Sequence, residues 1–153
     1  MNMAYGYAYK AEKNEAKAVG VALPISFKHG VAICNYVRGR NVSKAKTMLD
    51  SVMKLKNAVP YTRYNNEMAH NKNVGSGRFP IKTCAYIKEI IESAEANAQL
   101  KGLSSANLII KHIAAQNGGK VFHQGRNGRK GKRAHIEVVL VEGAMKKEAT
   151  LDD

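Results

Sequence analysis

The segment 117–133, with the sequence NGGKVFHQGRNGRKGKR, contains the residues of this chain that are best suited to bind a ligand. It holds six Lys/Arg and five glycines in seventeen positions, and it has no Asp or Glu. Glycine lets a backbone approach a ligand closely, and a dense cluster of cations requires an anionic partner. Such a segment cannot bury enough apolar surface to offset the entropy of ordering it alone. We therefore predict that it becomes ordered on a polyanion, for which RNA is the best candidate.

The glycine spacing in this segment does not fit a nucleotide-binding P-loop. Gly125 and Gly131 enclose five residues instead of the required four, and Arg133 stands where Ser or Thr would bind magnesium. The segment also lies between two apolar, strand-like runs, Leu108–Ile113 and His135–Val141, and not between a strand and a helix. This placement predicts a long β-hairpin with a basic tip.

The other residues that are capable of acid–base or metal chemistry do not form a site. No paired carboxylates stand out among the twelve acidic residues, and the histidines and cysteines lack metal-ligand spacing. We therefore predict no enzymatic activity, no cofactor and no bound metal, and we interpret the histidines as surface or RNA-facing polar groups. Cys34 and Cys84 lie in helical patterns, so buried free thiols are expected in a reducing compartment. The five histidines are His29, His70, His112, His123 and His135.

The charge of the chain is large and unevenly distributed. The formal net charge is +13, which favours binding to nucleic acid or to an anionic membrane surface. Residues 1–60 carry ten Lys/Arg against three Asp/Glu, whereas residues 134–153 carry two cations and five anions. The positive charge therefore lies in two blocks, residues 1–60 and residues 117–133. No run of about 18 apolar residues and no basic amphipathic helix is present, so no membrane partner is expected.

Hydrophobic periodicity predicts three helices. Ser26 is the predicted N-cap of the first helix and Ser43 that of the second. The third helix is predicted at residues 81–101, with Pro80 in its first turn and Gly102 as its C-terminal stop, because Pro and Gly are favoured at these positions. Its apolar stripe repeats at steps of three and four residues and is predicted to face the core: Cys84, Ile87, Ile91, Ala94 and Ala98.

The remaining segments predict a short strand at residues 17–22 and a long connecting loop at residues 57–80. Helices first and a strand pair last predict an α+β fold, with three helices packed on a small antiparallel sheet and a long protruding basic β-hairpin. We expect a single domain over residues 1–153. Its globular part covers about 17–116 and 134–143, its hairpin 117–133 and its frayed tail 144–153. The N-terminus lacks the apolar core of a signal peptide, so a cytoplasmic location is expected.

Two further groups of cations are candidate RNA contacts. Four cations in nine residues, Arg38, Arg40, Lys44 and Lys46, surround the turn between the first two helices, which favours an RNA-facing corner over simple dipole complementation. The loop at 57–80 interleaves aromatic and basic residues, as in surfaces that stack on bases and bind phosphates, although a flexible loop with incidental tyrosines is the alternative. Its residues of these types are Tyr61, Arg63, Tyr64, His70, Lys72 and Arg78.

Four segments of the chain together resemble the ribosomal large-subunit protein twenty-two family. The loop with its VPYTRYN run resembles the archaeal and eukaryotic branch, because bacterial members lack this insertion. The likeness covers roughly residues 17–143. The four segments are SFKHGVAICNYVRGRNVSKAKTMLDSV (Ser26–Val52), AVPYTRYN (Ala58–Asn65), GRFPIKTCAYIKEIIESAEANAQLKGL (Gly77–Leu103) and HIEVVLVE (His135–Glu142).

The resemblance implies a structural role in the large ribosomal subunit, in the cytoplasm. It implies that the chain binds large-subunit rRNA and assists assembly, with its globular part near the mouth of the polypeptide exit tunnel and its hairpin in the tunnel wall. Implied partners are the rRNA, neighbouring ribosomal proteins near the tunnel exit and, transiently, the nascent polypeptide. The predicted rRNA-binding residues are Lys28, Arg38, Arg40, Lys44, Lys46, Arg63, Arg78, Lys120, Arg126, Arg129, Lys130, Lys132 and Arg133.

The hairpin tip departs from the family pattern. Family hairpins usually carry a longer tip with proline-arginine-alanine and glycine-arginine-alanine runs, whereas residues 125–133 read GRNGRKGKR, without proline. We therefore expect a shorter reach along the tunnel, with RNA binding retained. The alternative functional class is an enzyme or a free-standing regulator that binds RNA or DNA through the same hairpin.

Overall fold

The chain forms three helices and a central antiparallel sheet, and it extends a hairpin from two strands of that sheet. The computed structural model describes residues 6–10, 12, 14–72 and 74–143. Its helices and strands are, in chain order, β1 (Glu15–Leu23), α1 (Phe27–Val37), α2 (Val42–Met53), β2 (Val59–Pro60), β3 (His70–Asn71), β4 (Gly75–Arg78), α3 (Ile81–Leu100), β5 (Leu108–Asn117), β6 (Val121–Phe122), β7 (Lys130–Gly131) and β8 (Ala134–Glu142), with a 3₁₀ turn at Ser105–Asn107. This is the predicted α+β fold.

The central sheet has the strand order β1–β8–β5, and all its neighbours are antiparallel. β8 is the middle strand, so Glu15 of β1 pairs with Val141 and Asn117 of β5 pairs with Ala134. Because side chains alternate along a strand, Ile136 and Val138 of β8 face the helices and are fully buried. This side of the sheet therefore holds the hydrophobic core. Full burial of each aliphatic side chain of this size contributes about 1.5–3 kcal/mol to the stability of the fold.

Helix α3 closes the core as its periodicity predicted. All five residues of the predicted apolar stripe are buried, and Gly102 after the helix has the left-handed φ of 76° that favours glycine. Two details of the prediction are wrong. The N-cap of α2 is Asn41, whose side chain accepts a hydrogen bond of 2.9 Å from the Ser43 amide, so Ser43 is not the cap. Pro80 is the cap residue of α3 and precedes its first turn.

The segment 57–80, predicted as an unstructured connection, contains a small antiparallel sheet with the strand order β2–β4–β3. Its strands are two to four residues long and include Gly75 and Gly77, so they have no apolar alternation from which the sequence could predict them. The Asn71 amide group donates a hydrogen bond of 2.5 Å to the carbonyl oxygen of Gly77 and fastens this sheet at its turn.

Helix α1 lies unusually close to the central sheet because Gly30 is the residue in contact. A Cβ atom added at Gly30 would lie 3.1 Å from the Cβ of Ala115 and 3.3 Å from the Cδ1 of Ile136. Both distances are tighter than ordinary van der Waals contacts, so a larger side chain would push α1 away from β5 and β8. The absence of a side chain here places the first turn of α1 beside the root of the hairpin.

On the outer face of the sheet, residues 8 and 9 contact a network of polar side chains. Glu137 points to this side and is fully buried, which the sequence did not indicate. Its carboxylate accepts a hydrogen bond of 3.0 Å from the Ala8 amide and lies 2.8 Å from Nε2 of His112. The ring of Tyr9 stacks on that of His112 with centroids 5.2 Å apart, so one polar network fixes the segment on the sheet.

Glu15 is a second buried acid of this face, with 1% of its surface exposed. Burial alone raises the pKa of its carboxyl. Hydrogen bonds from Lys111, the Glu12 amide and Tyr9, together with the charge of Lys111, outweigh that effect and lower the pKa below its ordinary value of 4.5. Glu15 therefore stabilises the fold when ionised.

We expect this contribution to disappear in acid. A group whose pKa is lowered on folding stabilises the native state above its unfolded pKa, and the effect is lost as the pH falls through the folded pKa. Glu15→Gln should therefore reduce the free energy of unfolding by about 1.5–3 kcal/mol at pH 7, the worth of a charge-assisted hydrogen bond, and by much less near pH 3. Urea unfolding across this range measures the difference. Glu12→Gln, at an exposed carboxylate, is the control, and an equal deficit of Glu15→Gln at both pH values would contradict the account.

Candidate nucleic-acid interface

The hairpin leaves the sheet between β5 and β8 and keeps its two arms paired for a short distance. The Gly118 amide donates a hydrogen bond of 2.9 Å to the carbonyl oxygen of Arg133, and β6 pairs with β7 further out. Every residue from 119 to 130 is exposed. The six cations of this hairpin form no ion pair with a carboxylate in the part of the chain that the structure describes. The predicted hairpin is confirmed, and its charge is turned to solvent.

The outer pairs of the hairpin give its two faces different characters. Phe122 pairs with Lys130, whose Nζ lies 4.7 Å from the ring centroid, and 68% of the phenylalanine surface is exposed. On the other face, the imidazole of His123 lies against Gly131, where an added Cβ would come within 2.8 Å of its Nε2. One face therefore presents an aromatic ring with a cation, and the other face carries Val121 and His123.

A groove of about 280 Å³ lies where the root of the hairpin meets the first turn of α1. It brings together residues about ninety positions apart in the sequence, and Gly30 makes this proximity possible. Four of its seven lining residues are predicted rRNA contacts. The lining consists of Ser26, Phe27, Lys28, Asn117, Lys120, Lys132 and Arg133, which we call the root groove.

A second groove of about 310 Å³ adjoins the root groove along α1 and shares Phe27 with it. Arg38 and Arg63, two more of the predicted contacts, line this second groove. The guanidinium of Arg38 donates a hydrogen bond of 2.9 Å from Nη2 to the carbonyl oxygen of Ile113, which holds the side chain against the middle of β5. Six predicted contacts thus line one continuous pair of depressions.

The loop at 57–80 contributes one exposed tyrosine to this surface. The ring of Tyr64 meets Phe27 edge to face with centroids 6.4 Å apart, and Nζ of Lys28 lies 5.2 Å from its centroid. Tyr61 does not fulfil the predicted role in stacking on RNA, because only 3% of its surface is exposed and its ring packs against His29. Burial raises the pKa of Tyr61 to about 12, which keeps the phenol neutral.

The pKa of His29 reflects the positive potential beside the root groove. Its pKa is lowered, first by burial and then by the charges of Arg78 and Lys132. The imidazole is therefore neutral at physiological pH and adds no charge. A cation of β4 and a cation of the hairpin root therefore both contribute to the potential at this ring.

The cations after α1 do not form a uniform block. Arg40 and Lys44 are exposed, as predicted. Lys46 is instead partly buried and forms an ion pair with Glu95 of α3, so its charge is already compensated within the protein. The sequence did not show this pair because its members lie 49 positions apart. Lys46 is the least suitable of the predicted contacts for a phosphate.

Two of the histidines form hydrogen bonds within the fold, whereas the sequence predicted surface or RNA-facing groups. His112 joins the buried network of Glu137, and Nδ1 of His135 accepts a hydrogen bond of 3.0 Å from the Ala22 amide.

Cys34 and Cys84 are buried free thiols as predicted, and burial raises the pKa of each to about 12. Within the described residues, no cluster of three or more His, Cys, Asp or Glu is arranged to hold a metal ion.

Two aromatic residues of the interface were not predicted. The only sequence signal was one neighbour of each residue, Lys28 for Phe27 and His123 for Phe122. In the described part of the chain, none of the helices has the length and apolar character needed to cross a membrane. The predicted tail at 144–153 lies outside the described residues.

Comparison with known proteins shows that the chain is similar to proteins of the large ribosomal subunit. Residues 18–141 match the family described as ribosomal protein L22p/L17e. The chain is 41% identical over 117 residues to the large ribosomal subunit protein uL22 of Archaeoglobus fulgidus, covering 73% of this chain and 76% of that protein. It is 38% identical over 145 residues to the protein of the same name from Thermoplasma acidophilum, covering 91% of this chain and 96% of the relative.

Proposed function

The chain belongs to the ribosomal protein L22p/L17e family, and we propose that it is a structural constituent of the large ribosomal subunit that binds large-subunit rRNA. Its role is non-enzymatic. It assists assembly, and its hairpin forms part of the wall of the polypeptide exit tunnel. The archaeal origin of these relatives agrees with the archaeal and eukaryotic branch indicated by the loop at 57–80.

The observation that carries the proposal is the pair of adjoining grooves, in which cations from α1, the loop at 57–80 and the hairpin converge. Phosphates are neutralised by Lys and Arg with release of counterions, and contacts to sugar and phosphate fix the register of a protein on its nucleic acid. The exposed cations of the hairpin supply the same interaction further out. Twelve of the thirteen predicted residues serve as rRNA contacts, and Lys46 instead joins α2 to α3 through Glu95.

The division of labour that we propose follows from this geometry. The globular part and the root groove dock the protein on the rRNA surface, and the exposed tip enters the tunnel wall. There the tip contacts the nascent polypeptide transiently, and the globular part contacts neighbouring ribosomal proteins near the exit. The ribosome-bound protein is cytoplasmic, and the chain acts as a single domain with an extension.

Sedimentation of a cell extract tests the assignment directly. We expect nearly all of the chain to migrate with large subunits at low salt, because a structural protein has no functional free pool. The control is Leu100→Ala, at a side chain that is 87% exposed at the end of α3, because its loss removes no charge and lies outside the proposed interface. A chain found mostly in the free fraction would instead identify a regulator that binds nucleic acid through the same hairpin.

A further inference from the structure

We propose that the root groove holds one extruded nucleotide of the RNA, with its base against the ring of Phe27 and its phosphates on the surrounding cations. This inference rests on the proposed function and specifies the RNA element that this part of the surface recognises. It requires an unpaired base, whereas a basic surface alone requires only a phosphate backbone.

The side chains that line the groove distinguish between two possible ligands, a nucleotide with an unpaired base and a phosphate backbone alone. A site for phosphate alone needs polar groups throughout, but the exposed lining of the root groove is mainly apolar. Phe27, which also packs against the core, is the one apolar side chain among the seven lining residues, and Lys28, Lys120, Lys132 and Arg133 supply the charges. An aromatic ring ringed by cations is the arrangement with which proteins bind single-stranded RNA, because every base has a π-face and every nucleotide has a phosphate.

The size of the groove limits the ligand to a small group. A volume of about 280 Å³ lies just below the range of pockets that enclose drug-sized molecules, so a single base fits and a duplex does not. In an A-form helix the bases are stacked and paired, and their faces are hidden. Only a nucleotide turned out of the stack offers its face to Phe27, so the partner is a bulge, a loop or a junction.

The groove is held open before any RNA binds. Tyr64 packs edge to face against Phe27 at 6.4 Å and limits the movement of the ring. On the other side, the hydrogen bond of 2.9 Å from Gly118 to Arg133 fixes the root of the hairpin. Such pre-organisation reduces the entropy lost on binding.

The fluorescence of one introduced tryptophan tests the inference, because the chain contains no tryptophan of its own. Phe27→Trp places an indole in the groove, and Leu100→Trp, at a side chain that is 87% exposed at the end of α3, is the matched control. The probes are oligoadenylate of five nucleotides and an abasic ribose-phosphate oligomer of equal length and charge. We expect oligoadenylate to quench Phe27→Trp strongly, with an affinity about tenfold above that of the abasic oligomer. Leu100→Trp should respond weakly to both.

Phe27→Leu guards against a folding defect of the tryptophan variant, since it keeps apolar volume and removes the ring. With labelled oligomers, it should lose the tenfold preference for bases and keep the salt dependence of binding. Equal affinities of the unmodified protein for the two oligomers, or equal quenching of both tryptophan variants, would overturn the inference. If the protein still sediments with large subunits in that case, the proposed function stands, and its failure would appear only as a free chain in the extract.

Discussion

The affinity for an rRNA fragment should fall by about three to five decades between 50 and 200 mM salt. This estimate follows from roughly six to ten neutralised phosphates, each of which contributes about 0.9 to the slope of log affinity against log salt for a duplex-like partner. Single-stranded partners give a shallower slope of about 0.7 per phosphate. Twelve predicted cations remain after Lys46 is set aside, so the structure supplies enough charge for this range.

Binding titrations at several salt concentrations measure this slope. Circular dichroism over the same range is the control, because it separates a loss of affinity from a loss of fold. The core is apolar and the charged hairpin has no carboxylate partner among the described residues, so we expect the spectrum to stay constant. A flat titration would show that the basic surface lies away from the RNA.

The elements with a strong period or an extreme composition were predictable from the sequence. Helix α3 is twenty residues long, and its apolar stripe repeats often enough to define one face. The hairpin was predictable for a different reason: six cations among five glycines cannot form a core, and two apolar runs frame them. In both cases many residues indicate the same structure, so a wrong interpretation of any one position does not change the prediction.

Buried acids were not predictable in this way. Glu15 and Glu137 lie on strands, and a single acidic residue in an apolar run gives no indication of whether it faces solvent. Each is buried because a partner far along the chain compensates it: Lys111 for Glu15, and His112 for Glu137. Sequence patterns describe neighbours within a helix or strand, whereas these pairs depend on which strands are adjacent in the sheet.

The root groove was unpredictable for the same physical reason. Its cations were each identified, but the sequence assigned Lys28 to one basic block and Lys132 with Arg133 to the other. The close packing of Gly30 on Ala115 brings α1 to the root of the hairpin and merges the ends of the two blocks. We therefore propose that the boundary between the docking surface and the tunnel surface runs through the hairpin, above its root, and not between the globular part and residues 117–133.

The largest expected effect of a substitution follows from this revised boundary. Replacing the four root-groove cations, Lys28, Lys120, Lys132 and Arg133, with Gln should lower the affinity for an rRNA fragment by about a thousandfold near 0.15 M salt. Each lost phosphate contact lowers the salt slope by about 0.7–0.9 and the affinity by roughly fivefold at this ionic strength. Four contacts together remove about three units of slope, and incorporation into large subunits should fall accordingly.

Two variants of similar charge locate the effect. Gln at Lys10, Lys54, Lys56 and Lys82 removes four exposed cations outside the predicted contacts, and it should lower the affinity by less than about tenfold through the loss of long-range attraction alone. Gln at the tip cations Arg126, Arg129 and Lys130 should leave thermal stability unchanged, because these exposed side chains support no core. This tip variant should still enter subunits, but the rRNA near the tunnel should react more strongly with chemical probes.

The three variants together decide between an ordered pair of surfaces and a diffuse basic coat. A diffuse coat predicts that affinity depends only on the number of cations removed, so the root and control variants would lose affinity equally. Docking at the root predicts that they differ by about a hundredfold, with incorporation following the root and tunnel reactivity following the tip. If the tip variant loses incorporation while the root variant keeps it, the hairpin tip is the anchor.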